Sequence, residues 1–267
     1  MKVDLTADIA RFSDTEVPAG VYVLGDSYKP YLHPLQTPAG HCMTMAMPGD
    51  HRHHKGLMYA LRCADLNFWE ESPEADDCGI QVSEEISAEG NTLRQQLLWQ
   101  RQDGELKTYR ELRTIACRRS SDGRSYVWTW KSRREALRDH RLVASDWAMK
   151  KADGTRVNYH GLGIRPPWMW RFSGELFNGI ERDGRPATAD EVSGNGAQTV
   201  RWWGTIDGYR DPPRCAITMT QKMGYAWFAL KEDFPYLSTG PSILDDISVR
   251  KGFVFDETYQ IRVEDLQ

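Results

Sequence analysis

Five of the seven histidines fall between residues 33 and 54: His33, His41, His51, His53 and His54. Imidazoles at this density suit two kinds of chemistry, proton transfer near neutral pH and metal ligation through a neutral ring nitrogen. They lie in two strings, His33-Pro34-Leu35-Gln36-Thr37-Pro38-Ala39-Gly40 and Pro48-Gly49-Asp50-His51-Arg52-His53-His54-Lys55-Gly56. Pro and Gly punctuate both, which marks them as loops, and polar groups on ordered loops are where sites are usually built. Three readings follow. In the first, an imidazole paired with a carboxylate, Asp50 or Glu111, acts as general acid or base. In the second, the His51/His53/His54 loop holds a metal, with Asp50 or His33 completing the shell, although no HExxH, Cys2His2 or facial-triad spacing is present. In the third, the polar side chains only pin a long loop through bonds to its backbone. A nucleophilic Cys42 beside His41 is disfavoured, because such groups assemble in space and not along the chain.

The elements that must position these residues read as strands. Asp-Gly pairs at 103–104, 122–123, 153–154, 183–184 and 207–208 supply the positive φ angles that tight hairpin turns need. Around them lie Pro-free runs rich in aromatic and β-branched residues: Thr92 to Gln100, Leu106 to Arg118, Ser125 to Ser132 and Arg141 to Met149. Only Pro186 to Val192 reads as a short turn of helix. The expected fold is therefore all-β, an antiparallel β-sandwich with little helix, in one domain spanning residues 1–267. Alternation along Tyr109 to Cys117 puts Tyr109, Glu111, Arg113, Ile115 and Cys117 on one face. That face is either half-buried and concave, with Glu111 available to a ligand, or broken by a bulge that leaves Glu111 and Arg113 a solvated pair. Most of the ten Trp must be structural; Trp69, close in sequence to the histidine block, is the one expected to stack on a ligand. Gly161-Leu162-Gly163 reads as a place of close backbone approach, with Arg165 beside it for an anionic or polyhydroxyl ligand. The basic run Lys131 to Arg141 reads as a solvated strand end or loop.

Composition narrows the partners. The 267 residues are 40% hydrophobic and 11% aromatic, enough to build a substantial core. The formal charge of -4 leaves no basic footprint for nucleic acid. No apolar run is long enough to span a bilayer, and no basic-then-apolar leader opens the chain. Five cysteines with no CxxC pair imply no closed disulfide set, and the expectation is a reduced, cytoplasmic protein. No GxGxxG or P-loop is present and no motif implies an organic cofactor.

At the histidine strings the sequence also resembles a known family. His33-Pro34-Leu35-x-Thr37-Pro38-x-Gly40 followed by Asp50-His51-x-His53-His54-x-Gly56 resembles bacterial proteins carried under the label "methane oxygenase PmoA family". Asn67-Phe68-Trp69-Glu70, the strand around Trp99, Glu111-Leu112-Arg113 and Gly161-Leu162-Gly163-Ile164-Arg165 agree in order. The resemblance covers roughly residues 30 to 265 and is most specific in the histidine block. Despite the label, these are not the membrane subunit of methane monooxygenase. The resemblance implies a sandwich similar to the galactose-mutarotase group, a supersandwich in which a His and a carboxylate on a concave sheet face work on a sugar ring. Carried over by position, the site residues are His33, His53, His54, Glu111 and Arg165. The chain departs from the family at Cys215 to Met223, where a His- and Asp-bearing stretch is common. The resulting expectation is an enzyme acting on a small carbohydrate by epimerisation, elimination or hydrolysis. His53 or His54 would work with Glu111, His33 and Arg165 would hold the substrate, Asp50 would orient an imidazole and Trp69 would stack. A metal-dependent enzyme and a non-catalytic sugar-binding protein are the alternatives.

Overall fold

All five Asp-Gly pairs join antiparallel strands, and each glycine has positive φ. At Asp183-Gly184 both residues do, at 48° and 76°, which is the two-residue turn whose twist matches the strands it connects, Asn178–Arg182 and Arg185–Ala187. The computed structural model describes residues 1–14, 17–172 and 178–266. Its strands form two large sheets in which every pairing between strands is antiparallel. The first has eight strands, in the order Lys2–Leu5, Ile9–Asp14, Val17–Val23, Tyr31–Leu35, Leu57–Ala60, Gly161–Ile164, Tyr236–Thr239, Trp227–Leu230. The second has nine, in the order Arg185–Ala187, Asn178–Arg182, Thr199–Thr205, Arg214–Gln221, Val254–Asp265, Ser125–Ala136, Lys107–Arg119, Thr92–Arg101, Gly79–Glu89. The fold is the expected all-β sandwich. Among the described residues helix is confined to Ala189–Val192, capped by Thr188 and Glu191, and a 3₁₀ turn at Trp168–Arg171. No helix among the described residues is long and apolar enough to cross a membrane.

Strand parity separates two apolar clusters. Leu57, Tyr59, Leu162, Ile164 and Leu237 of the eight-stranded sheet meet Leu97, Trp99, Trp128, Trp130 and Ile217 of the nine-stranded sheet, forming the core between the layers. Their neighbours one residue along, Met58, Ala60, Phe228 and Tyr236, join Tyr31 and Trp69 in a second cluster. Successive strand residues point to opposite faces, so this second cluster lies on the outer face of the eight-stranded sheet.

Three expectations are corrected here. The segment from Arg141 to Met149 is strand only at His140–Leu142 and Met149–Lys150, with a loop between. The basic run is a strand end and turn solvated on one side only: Lys131 and Arg133 are exposed, but Lys131 to Ala136 continue the strand Ser125–Ala136, and Arg134 is fully buried against Glu257, with 2.7 Å between Nη2 and Oε2. The face carrying Glu111 and Arg113 is neither half-buried nor solvated. The register with Ser125–Ala136 is unbroken, and the predicted parity turns both residues into the core between the sheets.

Candidate functional site

The histidine block lies in the connection between Tyr31–Leu35 and Leu57–Ala60. Its ends are closed like a hairpin: the Met47 amide donates to the His54 carbonyl (2.7 Å) and the Gly56 amide to the Met45 carbonyl (3.0 Å). Within it, the His51 amide donates to Pro48 O and the His54 amide to His51 O, each at 3.0 Å, two consecutive turns that crowd three imidazoles together. His51 and His54 stack with ring centres 4.8 Å apart, and His53 meets His54 edge-on at 4.6 Å.

Buried charge anchors the block. Lys55, directly after it, is 2% exposed and reaches Asp26 (2.6 Å) and Glu71 (2.7 Å). Lys29, fully buried, donates to the Trp69 carbonyl (2.7 Å) and pairs with Glu71 (3.0 Å). Glu71 thus ties the histidine loop to the segment carrying Trp69 and Glu70. The Asn67 side chain accepts from the Trp69 and Glu70 amides, at 3.0 and 3.1 Å, and fixes where those two side chains point.

Between these segments lies a cavity of about 580 Å³ on the outer face of the eight-stranded sheet. One part of its wall is polar: Asp50, His51, His53, His54, Glu70 and Asp233. The rest is aromatic and apolar, chiefly Trp69, Tyr159, Phe228, Phe234 and Tyr236, with the exposed Trp147 also on the wall. Tyr236 reaches this position because residue 163 is glycine; a Cβ there would collide with the Tyr236 hydroxyl. This is the close approach expected of the Gly161-Leu162-Gly163 string.

The titrating groups are set apart by their surroundings. Burial, followed by the charge of Lys29, draws His53 down to about 3, and burial draws His54 lower still, so both are neutral imidazoles at physiological pH. The Arg165 guanidinium donates to His54 Nδ1 at 3.3 Å, which leaves the proton of His54 on Nε2. Arg165 is fully buried beneath Phe234, 4.3 Å from the ring centre, and burial brings it down to about 10, still charged at neutral pH. His51 Nδ1 donates to Asp50 Oδ2 (2.8 Å), and Arg165 stands 3.6 Å from the same carboxylate oxygen. Partial burial raises the Asp50 carboxyl, but the bond from His51 and the charge of Arg165 outweigh it and hold the group below its ordinary value. With Nδ1 committed to Asp50, His51 keeps Nε2 for a ligand. Glu70 Oε1 lies 3.3 Å from the hydroxyls of Ser145 and Tyr159, whereas its Oε2 is buried with no protein partner among the described residues.

Of the seven residues expected at the site, Asp50, His53, His54 and Trp69 line this cavity, and Arg165 braces it through His54 and Asp50. His33 and Glu111 are not on its wall. His33 is half-buried, bonded to the Thr44 hydroxyl (2.9 Å). Glu111, expected as the carboxylate partner of the imidazoles, belongs to the inner face of the other sheet. It accepts from Arg113 (2.8 and 2.9 Å), Trp99 Nε1 (2.8 Å) and Ser132 Oγ (2.7 Å). Burial opposes its ionisation, but Arg113 prevails and holds it below the ordinary carboxylate value. The whole eight-stranded sheet separates it from the cavity, so Glu111 cannot serve the imidazoles. The carboxylates that do reach the cavity are Asp50, Glu70 and Asp233. Glu70 stood in the Asn67-Phe68-Trp69-Glu70 string, but nothing in its type set it apart from the other acidic residues. Asp233, Phe234 and Tyr236 come from more than 160 residues downstream, with no local signal. The ligating atoms of His51, His53 and His54 do not converge as a metal shell would require. Among the described residues one group of three does so, His41, Cys215 and Asp265, in another part of the fold.

A family model matches residues 11–266, nearly the whole chain, under the description "Family of unknown function (DUF6807)". The chain belongs to this family. No curated protein matches it. Membership in DUF6807 brings no activity with it, so the chemistry must be argued from the cavity itself.

Proposed function

We propose that the cavity binds a small carbohydrate and moves a proton on it, in an epimerisation, elimination or hydrolysis. The observation that carries this reading is the pairing, in one cavity, of a carboxylate-oriented imidazole with a broad aromatic wall. Aromatic faces suit the C–H face of a sugar ring, while neutral imidazoles and carboxylates suit its hydroxyls. A volume near 580 Å³ fits a monosaccharide or disaccharide. In this reading His51, held by Asp50, takes the proton at Nε2, and Glu70 is the second acid–base group. His53 and His54, kept neutral, bind hydroxyls, Trp69 stacks on the ring, and Arg165 keeps His54 in one tautomer. The resemblance of the histidine strings to the PmoA-label proteins, and the mutarotase-like sandwich which that resemblance implies, supports the same substrate class. Five free cysteines support a reducing, cytoplasmic setting.

The test is a panel of sugars and oxidised glycosides, screened first by tryptophan fluorescence and then by proton NMR in D₂O for solvent exchange at ring carbons. Binding with exchange or conversion that disappears in His51→Ala is the expected result. Binding without either makes the protein a sugar-binding module, and no binding to any sugar overturns the substrate class.

A further inference from the structure

The connection that carries the histidine block also carries His41, and the structure uses that residue elsewhere. Cys215 is the second residue of the strand Arg214–Gln221 and Asp265 the last of its neighbour Val254–Asp265; the two are directly opposite in the register, so their side chains share a face. His41 reaches them from the loop after Tyr31–Leu35, held by a tight turn in which the Thr37 amide donates to the His41 carbonyl (3.0 Å). His41 Nδ1 lies 2.9 Å from Asp265 Oδ1 and 3.6 Å from Cys215 Sγ, and Sγ lies 3.8 Å from Oδ1.

These separations match a ligand set better than a nucleophilic triad. A triad places thiol and carboxylate at opposite nitrogens of the imidazole. Here both meet the same nitrogen. A tetrahedral ion with bonds of about 2.3 Å to sulfur and about 2.0 Å to nitrogen and oxygen sets its donors roughly 3.3–3.6 Å apart; the observed 2.9, 3.6 and 3.8 Å bracket that range, so small side-chain shifts of a few tenths of an ångström reach it. The surroundings support the same arrangement. The Ala39 amide donates to Asp265 Oδ2 (3.0 Å), which leaves Oδ1 as the oxygen facing the other two donors. The Tyr209 ring packs edge-on against His41 at 5.2 Å and walls one side. Side-chain exposures of 13% for His41 and 23% for Asp265 leave room for water as a fourth ligand.

We propose that His41, Cys215 and Asp265 form a binding site for one borderline-soft divalent cation of the zinc class. Binding takes the lone pair of His41 Nδ1, with the ring proton on Nε2, and one oxygen of Asp265. It also takes the Cys215 thiolate, whose proton leaves to solvent. A thiolate donor excludes magnesium and calcium, which prefer oxygen shells. The ion staples a loop of the eight-stranded sheet to two central strands of the nine-stranded sheet. The site stands apart from the cavity chemistry and would survive its failure.

The full chain, stripped with chelator, is titrated with cobalt(II) alone and then with zinc(II) alone. The expected result is one cobalt per chain, with a sulfur-to-cobalt charge-transfer band and the intense visible bands of a tetrahedral site, displaced by zinc. The charge-transfer band vanishes in Cys215→Ser. Affinity falls at least 100-fold in Cys215→Ser and His41→Ala and at least 10-fold in Asp265→Asn, while His51→Ala binds as wild type. Zinc raises the melting temperature of wild type and leaves Cys215→Ser unmoved, and magnesium shifts neither. Absence of the charge-transfer band in the wild-type chain overturns the site, as does equal cobalt affinity in a folded Cys215→Ser or His41→Ala variant.

Discussion

The ionisable side chains buried on the two sides of the eight-stranded sheet are used in opposite ways. On the inner side, Glu111, Arg113, Arg134 and Glu257 are sealed between the layers and almost completely paired. Arg113 alone donates to Glu111, to Tyr22 (2.8 Å) and to Gln81 (3.0 Å). On the outer side, Glu70 Oε2 and the Tyr236 hydroxyl are buried without a hydrogen bond from any described residue, beside a cavity. A nearly complete network sealed away from any void has little to offer a ligand, whereas unspent hydrogen-bonding capacity next to a void does. Charge inside a protein therefore says little about function until its partners are counted.

The sharpest way to break this contrast is Glu111→Gln. Removing one charge of a fully buried pair strands Arg113, and the expected loss is about 3–5 kcal/mol in chemical denaturation. A variant that keeps wild-type stability yet loses turnover would return Glu111 to the reaction and undo the distinction. Next in size, His51→Ala and Glu70→Gln on the outer face are expected to lower turnover about 10²-fold or more. Their unfolding midpoints should stay close to wild type, because neither leaves a buried charge unpaired; loss of stability in step with activity would make the outer face structural too.

The pH dependence of stability separates the buried imidazoles from Glu111. His53 and His160 are drawn down to about 3, and His54 lower, each chiefly by burial, against an ordinary value near 6.5. The unfolded chain then binds protons that the folded chain refuses, so their contribution is complete above pH 6.5 and is lost progressively as pH falls below it. The inner carboxylate Glu111, also depressed, contributes above its unfolded value of 4.5 and is lost only below that. Burial lowers His33 and His140 as well, so urea midpoints measured between pH 7 and pH 5 should report the buried imidazoles and not Glu111, with a shallower slope in His53→Gln. An unchanged slope would mean that His53 is charged when folded. The smallest expected effect is Trp69→Phe, which keeps an aromatic face but shortens it. Sugar affinity should fall about three- to tenfold, near 1 kcal/mol, by fluorescence or calorimetry.

Much of the scaffold was legible because its determinants are local. Asp-Gly turns, aromatic runs and two-residue alternation placed the strands Thr92–Arg101 and Lys107–Arg119 to within a residue and the start of Ser125–Ala136, though not its last four residues, and correctly set Glu111 and Arg113 on one face. Alternation cannot say what that face meets. A carboxylate and a guanidinium on it look the same whether they line a groove or sit beneath another sheet. The histidine strings were visible for the same local reason, as polar residues dense among Pro and Gly. Their partners were not: Glu70, Asp233 and Phe234 are ordinary in type and distant in sequence, as are Cys215 and Asp265 from His41.

The amino-acid sequence by itself determined the all-β character, the turns and the loop that concentrates the imidazoles, since backbone preferences and side-chain periodicity act over a few residues. Only the tertiary structure decided that Asp50 orients His51, that Arg165 stands behind His54, and that Glu111 is walled off from both. Those outcomes depend on which sheet face meets which, and that is settled by the joint burial of residues from both sheets across the whole chain.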